Sequence, residues 1–223
     1  MITVHHLNNS RSQRILWLLE ELAVDYTVKR YERDAKTMLA PRELKEIHPL
    51  GKSPVITDGR TTLAESGAII EYLADKYGQE QGLAPQPGTP DRVRYSYWLH
   101  YAEGSAMPPM LMSLIMSKIK TAPMPFFVRP IAKGIADKAM SGFIGPQIKL
   151  HLGYINDELG KHPWFVAKKF SAADIQMSFP VEAAAARAGL DKYPHMQSWL
   201  TKIQARPAYQ RALEKGGPYE LMK

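Results

Sequence analysis

Two serine-containing segments of the chain carry polar groups that could bind a peptide. The first is Ser53-Pro54, which precedes the β-type run Val55-Ile56-Thr57. Because proline cannot donate to a strand ladder, Pro54 belongs at the start of that strand. A cis bond there would turn the Ser53 N–H and C=O outward, where they could pair with the backbone of another peptide. An ordinary strand-initiating proline is the alternative interpretation.

The second segment is Glu65-Ser66, where a strand pattern gives way to a helical one. Serine is a favoured N-cap, and a helix N-terminus attracts anions through its free N–H groups and its dipole. Ser66 could therefore bind a carboxylate through its hydroxyl and N–H, while Glu65 could accept from an ammonium group. An α-amino acid terminus requires that pair of contacts, although Ser66 could also be a plain N-cap.

A third candidate, Ser10, follows the first predicted strand and precedes the first helix. Ligands of α/β sheets usually bind at this end of a strand. No G-x-S-x-G elbow and no acid–base triad accompany Ser10, so a serine nucleophile is not expected. It could instead donate to an anion, or act as a turn or cap residue. His5 and His6 are adjacent in a predicted strand and point to opposite faces, so we expect no metal site there.

The elements that must position these residues begin with alternating strands and helices. A strand–helix–strand unit demands parallel strands, and Asp58-Gly59 between two short β runs predicts an antiparallel hairpin. The first third of the chain therefore predicts a small mixed sheet with helices packed on it. The predicted strands are 2–7, 26–31, 55–57 and 61–63, and the predicted helices are 11–23, a short one between Pro41 and Pro49, and 66–77.

Glycine and proline punctuate residues 78–90, and the chain beyond them has helical patterns only. We predict helices at about 91–117, 129–160, 172–188, 195–205 and 207–215. The segment 118–148 is rich in proline and glycine and is compatible either with a kinked helix or with an ordered excursion between two helices. Ser171-x-x-Asp174 has the spacing of a capping box.

Composition narrows the class of protein. The 223 residues have a net charge of +7, but no run of five or more Lys and Arg occurs, which gives little reason to expect nucleic acid as a partner. No apolar run approaches the roughly 20 residues that span a bilayer, and no secretory signal is apparent. Cysteine is absent, so any thiol chemistry needs an external thiol. This composition is consistent with a reducing cytoplasm.

Taken together, the motifs resemble those of the cytosolic glutathione transferase superfamily. The resemblance covers both halves of the chain, and the opening residues are similar to a fungal and bacterial, serine-type branch. It implies a thioredoxin-like domain with a mixed four-stranded sheet (1–79), a linker (80–90) and an all-helical domain (91–223). The segments that carry it are His48–Pro54, Leu63–Ile69, Phe170–Ile175, Val4–Arg11 and Arg14–Leu19.

The resemblance implies that the tripeptide glutathione is a co-substrate and that no other cofactor is needed. The Ser53 backbone, beside Pro54, would pair with the cysteinyl moiety, while Glu65 and Ser66 would hold the γ-glutamyl end. Lys52 would bind the glycyl carboxylate or the backbone beside it.

Catalysis would require the thiol of glutathione to be held as a thiolate. The resemblance places Ser10 as the donor to sulfur, with Asn9 as the rival and Arg11 as an added positive charge. No tyrosine occurs in residues 1–25, which disfavours a tyrosine-type mechanism. The absence of cysteine disfavours the disulfide-exchanging branches. Tyr97, Tyr101 and Met107 are candidates for the wall of a second-substrate site.

The expected activity is conjugation of the glutathione thiolate to hydrophobic electrophiles, with glutathione-dependent peroxidase activity as a related variant. The resemblance also implies a homodimer in the cytoplasm. A non-catalytic glutathione-binding or carrier protein with this fold is the competing hypothesis.

Overall fold

A small mixed sheet forms the core of the first third of the chain. In the computed structural model, which describes residues 1–221, β1 pairs with β2 in parallel, and β3 is antiparallel to both β1 and β4. The strand order is β2-β1-β3-β4. The predicted thioredoxin-like arrangement is confirmed. Its elements are β1 (Ile2–Leu7), α1 (Gln13–Leu22), β2 (Tyr26–Tyr31), α2 (Leu44–Ile47), β3 (Val55–Asp58), β4 (Thr61–Ala64) and α3 (Ser66–Tyr77).

Helices make up the rest of the described chain. A short π-helical segment, 102–106, joins α4 to α5, and a second, 140–144, joins α6 to α7. Between residues 65 and 221 the structure has no strand beyond a single bridge at Trp164 and Ala167. The helices are α4 (Pro90–Tyr101), α5 (Met107–Thr121), α6 (Arg129–Ala139), α7 (Gly145–Lys161), α8 (Ala172–Ala188), α9 (Pro194–Gln204) and α10 (Pro207–Gly216).

The segment 118–148, which sequence patterns left open, is largely helical. Helix α5 continues to Thr121 and ends because Ala122, which precedes a proline, is extended at φ −60° and ψ 143°. A seven-residue loop, 122–128, then leads into α6, whose first turn accommodates Pro130.

Helix α1 is the element that ties the two halves together. Ile15, Leu18, Leu19 and Leu22 form an apolar stripe at helical spacing and are all buried, and α1 packs on β1 and α3. The opposite side is also covered, because α8 and α10 pack on it. Trp17 meets Tyr209 of α10 edge-on, with ring centroids 5.2 Å apart. The side chains of α1 therefore reach both the sheet domain and the helical domain.

The capping box at the start of α8 is confirmed, and it anchors this central helix. The fully buried carboxylate of Asp174 accepts from the backbone N–H of Ser171 at 3.0 Å and of Phe165 at 3.1 Å, and from Trp199 Nε1 at 3.2 Å. Burial raises the pKa of Asp174 to about 6 in spite of these hydrogen bonds. Among residues 1–221, no helix is both long and apolar enough to cross a bilayer.

Candidate active site

A cavity of about 240 Å³ opens between the sheet domain and the π-helical segment 102–106. It brings together both serine-containing segments singled out in the sequence, and it adds one residue of the loop after β1. The residues that line it are Arg11, His48, Leu50, Lys52, Ser53, Pro54, Ala64, Glu65, Ser66 and Glu103.

Ser53 presents its backbone at the edge of this cavity. The Ser53–Pro54 peptide bond is cis, as the sequence interpretation required. Strand β3 begins only at Val55, so the Ser53 N–H and C=O lie outside the sheet ladder. The Ser53 hydroxyl donates to the carbonyl of His5 at 3.0 Å. This side-chain contact holds the residue in place while its backbone remains available to a peptide ligand.

Glu65 and Ser66 form the turn at the start of α3, but their roles in the cap differ from the prediction. The N-cap is Glu65 rather than Ser66, and Ser66 is the first helical residue. Glu65 has φ 70° and ψ 117°. This left-handed conformation costs a non-glycine residue on the order of 1–3 kcal/mol, and such residues cluster at functional sites.

The Ser66 hydroxyl is oriented from below by two buried side chains. It accepts from Arg14 Nη2 at 3.0 Å and from Gln176 Nε2 at 3.4 Å. A hydroxyl accepts two hydrogen bonds and donates one, so the Ser66 proton is left for a ligand. Because Arg14 is 1% exposed, its charge acts on the cavity without heavy solvent screening.

Glu103 completes the cavity from the helical domain, and sequence patterns did not identify it. Its carboxylate accepts from Arg11 Nε at 2.9 Å and from Arg14 Nη2 at 2.5 Å. Burial opposes ionisation of Glu103, but the charges of Arg14 and Arg11 outweigh it, so its pKa lies below the ordinary value. Two cations therefore face the Glu103 carboxylate, and Glu65 adds a second carboxylate to the cavity lining, so groups of both signs lie near Ser66.

The loop after β1 turns Ser10 away from the cavity. Ser10 is 4% exposed, and its Oγ lies 2.7 Å from Ser12 Oγ, which in turn lies 2.9 Å from His6 Nδ1. Burial lowers the pKa of His6 to about 4, so its ring is neutral at pH 7. When Nδ1 of this neutral ring is the acceptor, Ser12 donates to it and accepts from Ser10. The Ser10 proton then points inward.

Asn9 also lies outside the set of residues that line the cavity, but its side chain keeps a donor without a partner in the described chain. Its backbone is left-handed, at φ 48°, and its Oδ1 accepts from the Glu220 N–H at 2.7 Å. The carbonyl side of the amide is thus engaged by the C-terminal segment, and the NH₂ group remains available. Within the described chain, no side-chain hydrogen bond is made by that NH₂ group.

The three residues predicted to form a second-substrate wall do not line the 240 Å³ cavity. Tyr101 donates to or accepts from His151 Nδ1 at 2.7 Å, and Tyr97 stacks on Tyr101 with centroids 5.5 Å apart, so both face α7. Met107 is buried at the start of α5. The face of α4 that points toward the sheet domain instead lines a neighbouring cavity of about 420 Å³, together with Glu65 and Glu103. Its other lining residues are Gly67, Ala68, Glu71, Leu99, His100, Gly104 and Gln176.

His5 and His6 have separate partners on the two faces of β1. His5 Nδ1 lies 2.9 Å from the Tyr31 hydroxyl, and His6 bonds Ser12. Across residues 1–221, no group of three metal-binding side chains forms.

Comparison with known proteins agrees with this architecture. Residues 1–75 match the model of the glutathione S-transferase N-terminal domain, and residues 124–216 match that of the C-terminal domain. Glutathione S-transferase 1 of Saccharomyces cerevisiae is 36% identical, over 96% of this chain and 95% of the relative. Glutathione S-transferase 3 of Schizosaccharomyces pombe is also 36% identical, over 96% and 88%.

Solved structures give the same result. A glutathione S-transferase from Actinobacillus pleuropneumoniae superposes with a TM-score of 0.81 at 34% identity, covering 99% of this chain and 95% of the other. The relatives match along nearly the whole length of the chain, so the likeness includes both the sheet domain and the helical domain. The chain therefore belongs to the glutathione S-transferase family.

Proposed function

We propose that this chain catalyses attack of the glutathione thiolate on hydrophobic electrophiles. The observation that carries the proposal is the pattern of charge in the cavity. Glutathione has two carboxylates and one ammonium group. The cavity presents a hydroxyl and a helix N-terminus backed by Arg14, the carboxylate of Glu65, and Lys52 at its rim.

Each part of the tripeptide has a matching group. The γ-glutamyl carboxylate binds Ser66 and the free N–H groups of α3, and its ammonium binds Glu65. The cysteinyl backbone pairs with Ser53 beside Pro54. The glycyl carboxylate binds Lys52, which is exposed and reaches it as a flexible point charge.

For the thiol, the geometry favours Asn9 over Ser10 as the donor. The amide NH₂ of Asn9 has no hydrogen-bond partner in the described chain, whereas the Ser10 hydroxyl is buried and hydrogen-bonded to Ser12. Lowering the pKa of a thiol by ~2 units requires about 2.7 kcal/mol of differential stabilisation. One amide hydrogen bond to the thiolate, the N-terminal end of α1 and the positive charge of Arg11 together have that scale.

The electrophile binds next to the sulfur, between the two domains. The neighbouring cavity that shares Glu65 and Glu103 is the place that the geometry supports, with Leu99 and Gly104 on its helical side. Tyr97, Tyr101 and Met107 stay predictions for this wall. An electrophile KM that rises in Leu99→Ala but not in Tyr97→Ala would favour the cavity over the predicted wall. Peroxide reduction by the same thiolate, a homodimeric assembly and a cytoplasmic location also remain proposals.

The deciding experiment is the ultraviolet absorbance of the thiolate of bound glutathione as a function of pH. Wild type should show the band near neutral pH, Asn9→Ala should shift its midpoint upward by about one unit or more, and Ser10→Ala should leave it nearly unchanged. If Ser10→Ala abolishes the band and Asn9→Ala keeps it, Ser10 is the donor.

The same measurement separates an enzyme from a carrier. A non-catalytic glutathione-binding protein would bind the tripeptide without lowering the thiol pKa and without turning over a chloronitrobenzene electrophile. Tight binding with no thiolate band and no turnover would sink the transferase proposal.

A further inference from the structure

The loop between α5 and α6 has an unusual composition for an exposed turn. Its seven residues, 122–128, read Ala-Pro-Met-Pro-Phe-Phe-Val and contain no polar side chain. Phe126 is 82% exposed and Phe127 is 65% exposed, and their rings meet edge-on at 5.6 Å. Exposed loops are normally polar, and a concentrated apolar patch marks an interaction surface.

The apolar surface continues along the helices that the loop connects. Nine of the sixteen large hydrophobic side chains exposed in residues 1–221 fall within residues 107–150, about a fifth of the chain. On α5 they form one stripe at i, i+4 and i+8. This concentration separates the region from the scattered exposed hydrophobics found on any protein surface. Its members are Leu111, Ile115, Ile119, Phe126, Phe127, Ile131, Ile135, Phe143 and Leu150.

The same region carries most of the net positive charge of the protein. Six cations and one acid lie in residues 107–150, so the net charge is 6 − 1 = +5, compared with +7 for the whole chain. Asp137 pairs with Lys120, and no second acidic residue lies in this stretch. The cations are Lys118, Lys120, Arg129, Lys133, Lys138 and Lys149.

We propose that the α5–α6 tip, defined as residues 118–133, docks on the surface of a bilayer that contains anionic lipids. Phe126 and Phe127 enter the boundary between headgroups and acyl chains, and the surrounding cations contact lipid phosphates. Apolar and aromatic side chains combined with Lys and Arg are the pattern of interfacial membrane binding. The loop is too short to span a bilayer, so the contact is peripheral.

Charge decides between a bilayer and a second copy of the chain as the occupant. A two-fold contact through this region would set one +5 surface against another, which like-charge repulsion disfavours. An anionic bilayer complements the charge and also receives the phenylalanines. Helix α5 places the tip about 20 Å from Met107, since 14 residues each rise 1.5 Å, so docking leaves the glutathione cavity free.

The experiment is vesicle sedimentation of the purified full chain. Vesicles of phosphatidylcholine alone should bind little of it, whereas vesicles with about a third of phosphatidylglycerol should bind it in a salt-sensitive manner. Phe126→Ser/Phe127→Ser should abolish binding. Lys118→Gln/Lys133→Gln should weaken it roughly 30-fold at low salt, since each cation near an anionic surface contributes about a fivefold factor. The matched control, Leu39→Ser/Val93→Ser, removes two equally exposed hydrophobics outside the tip and should bind like wild type.

Two results would overturn the proposal. The first is a wild-type protein that does not bind anionic vesicles, or loop variants that bind them as strongly as wild type does. The other comes from light scattering: if Phe126→Ser/Phe127→Ser converts a dimer to a monomer, the tip is an interface between copies. Turnover of a glutathione conjugation assay and the melting temperature report folding, and both should match wild type in the loop and lysine variants. The lysine variant tests the charge argument independently of the loop.

Discussion

The two sides of the candidate glutathione cavity orient their polar groups in opposite directions. On the side formed by β3 and α3, the groups that would bind a ligand face the cavity, and buried side chains such as Arg14 and Gln176 support them from behind. On the side formed by the loop after β1, the predicted donor Ser10 faces inward, into a chain of hydrogen bonds that ends at His6. The rival donor, Asn9, is the group left open.

This difference shows that a local motif predicts backbone orientation better than it predicts the direction of a side-chain hydroxyl. The cis bond at Ser53–Pro54 and the turn at Glu65 are backbone features, and a backbone conformation determines where its own N–H and C=O point. A serine hydroxyl rotates to satisfy whichever neighbour the fold supplies. Its neighbour in this protein is Ser12, so its type and position in the sequence do not reveal its direction.

The largest effect is expected from removing the support beneath the β3–α3 side. Arg14→Met leaves Glu103 with only Arg11 and deprives Ser66 of its charged partner. Stripping one partner from a buried ion pair costs about 3–5 kcal/mol. We expect a loss of at least 100-fold in kcat/KM together with a lower melting temperature. Lys118→Met is a surface control. If Arg14→Met turned over substrate at a near-normal rate, the ion pairs of Glu103 with Arg11 and Arg14 would not be needed to support the β3–α3 side of the cavity.

The second prediction concerns His6, on the loop side of the cavity, and the dependence of protein stability on pH. The folded-state pKa of His6 is about 4, below its ordinary 6.5, so the unfolded chain binds one more proton between these values. Its contribution to stability is present above pH 6.5 and is lost as the pH falls toward 4. The lost stability is about 3 kcal/mol, because the folded and unfolded pKa values differ by ~2.5 and each pKa unit corresponds to about 1.36 kcal/mol. Asp174 acts in the opposite direction, since its folded pKa is raised to about 6.

The measurement is urea unfolding between pH 4 and pH 7. His6→Gln removes the titrating group while keeping a polar side chain, so its stability should fall less steeply on acidification than that of wild type. His162→Gln, which changes an imidazole in the turn after α7, serves as the control. Parallel pH curves for wild type and His6→Gln would contradict the assignment of a buried, neutral His6.

A smaller effect is expected at Ser66 itself. Ser66→Ala removes the hydroxyl that donates to the ligand and leaves the N–H groups of α3 in place. One hydrogen bond to a charged group is worth about 1.5–3 kcal/mol, so KM for glutathione should rise roughly 10-fold or more. The maximal rate should change little, because the bond is far from the sulfur. A fall in kcat at constant KM would mean that Ser66 takes part in the chemical step. The β3–α3 side would then not be limited to binding.

The smallest effect is expected at Lys52. An exposed lysine that binds a carboxylate contributes about 0.2–1 kcal/mol. Lys52→Gln should therefore raise KM for glutathione by about two- to fivefold, and added salt should reduce the difference from wild type. Glutathione ethyl ester, which lacks the glycyl charge, should bind both proteins equally well. If wild type bound the ester more tightly than Lys52→Gln does, Lys52 would not act on the glycyl carboxylate.

Much of the fold was predictable from sequence because it rests on local patterns. The apolar stripe on α1, the Asp58-Gly59 hairpin, the proline before β3 and the capping box at Ser171 each describe a conformation within a few residues. Helix ends were also local: Pro123 determines where α5 stops. Sequence patterns could not choose between a kink and an excursion in 118–148, since proline and glycine allow both.

The residues of the candidate site also divide into those with a local sequence signal and those without one. Ser53, Pro54, Glu65 and Ser66 were identified by their types and local patterns, and Lys52 by the family resemblance, and the fold gathers all five around one cavity. Glu103 gave no such signal, because it lies in a π-helical segment 37 residues after Ser66 and acquires its role only by meeting Arg11 and Arg14. Tyr97 and Tyr101 were chosen for their chemistry, but the rotation of α4 turned them toward α7.

The sequence by itself determined the sheet-plus-helix architecture and the residues whose backbone could face a peptide, because those depend on short-range geometry and periodicity. The family was indicated by the resemblance of its motifs. Only the tertiary structure decided which side chains point into the cavity and which charges support them. Hydroxyl direction, helix rotation and ion pairing depend on contacts between residues far apart in the chain, and no local pattern encodes those contacts.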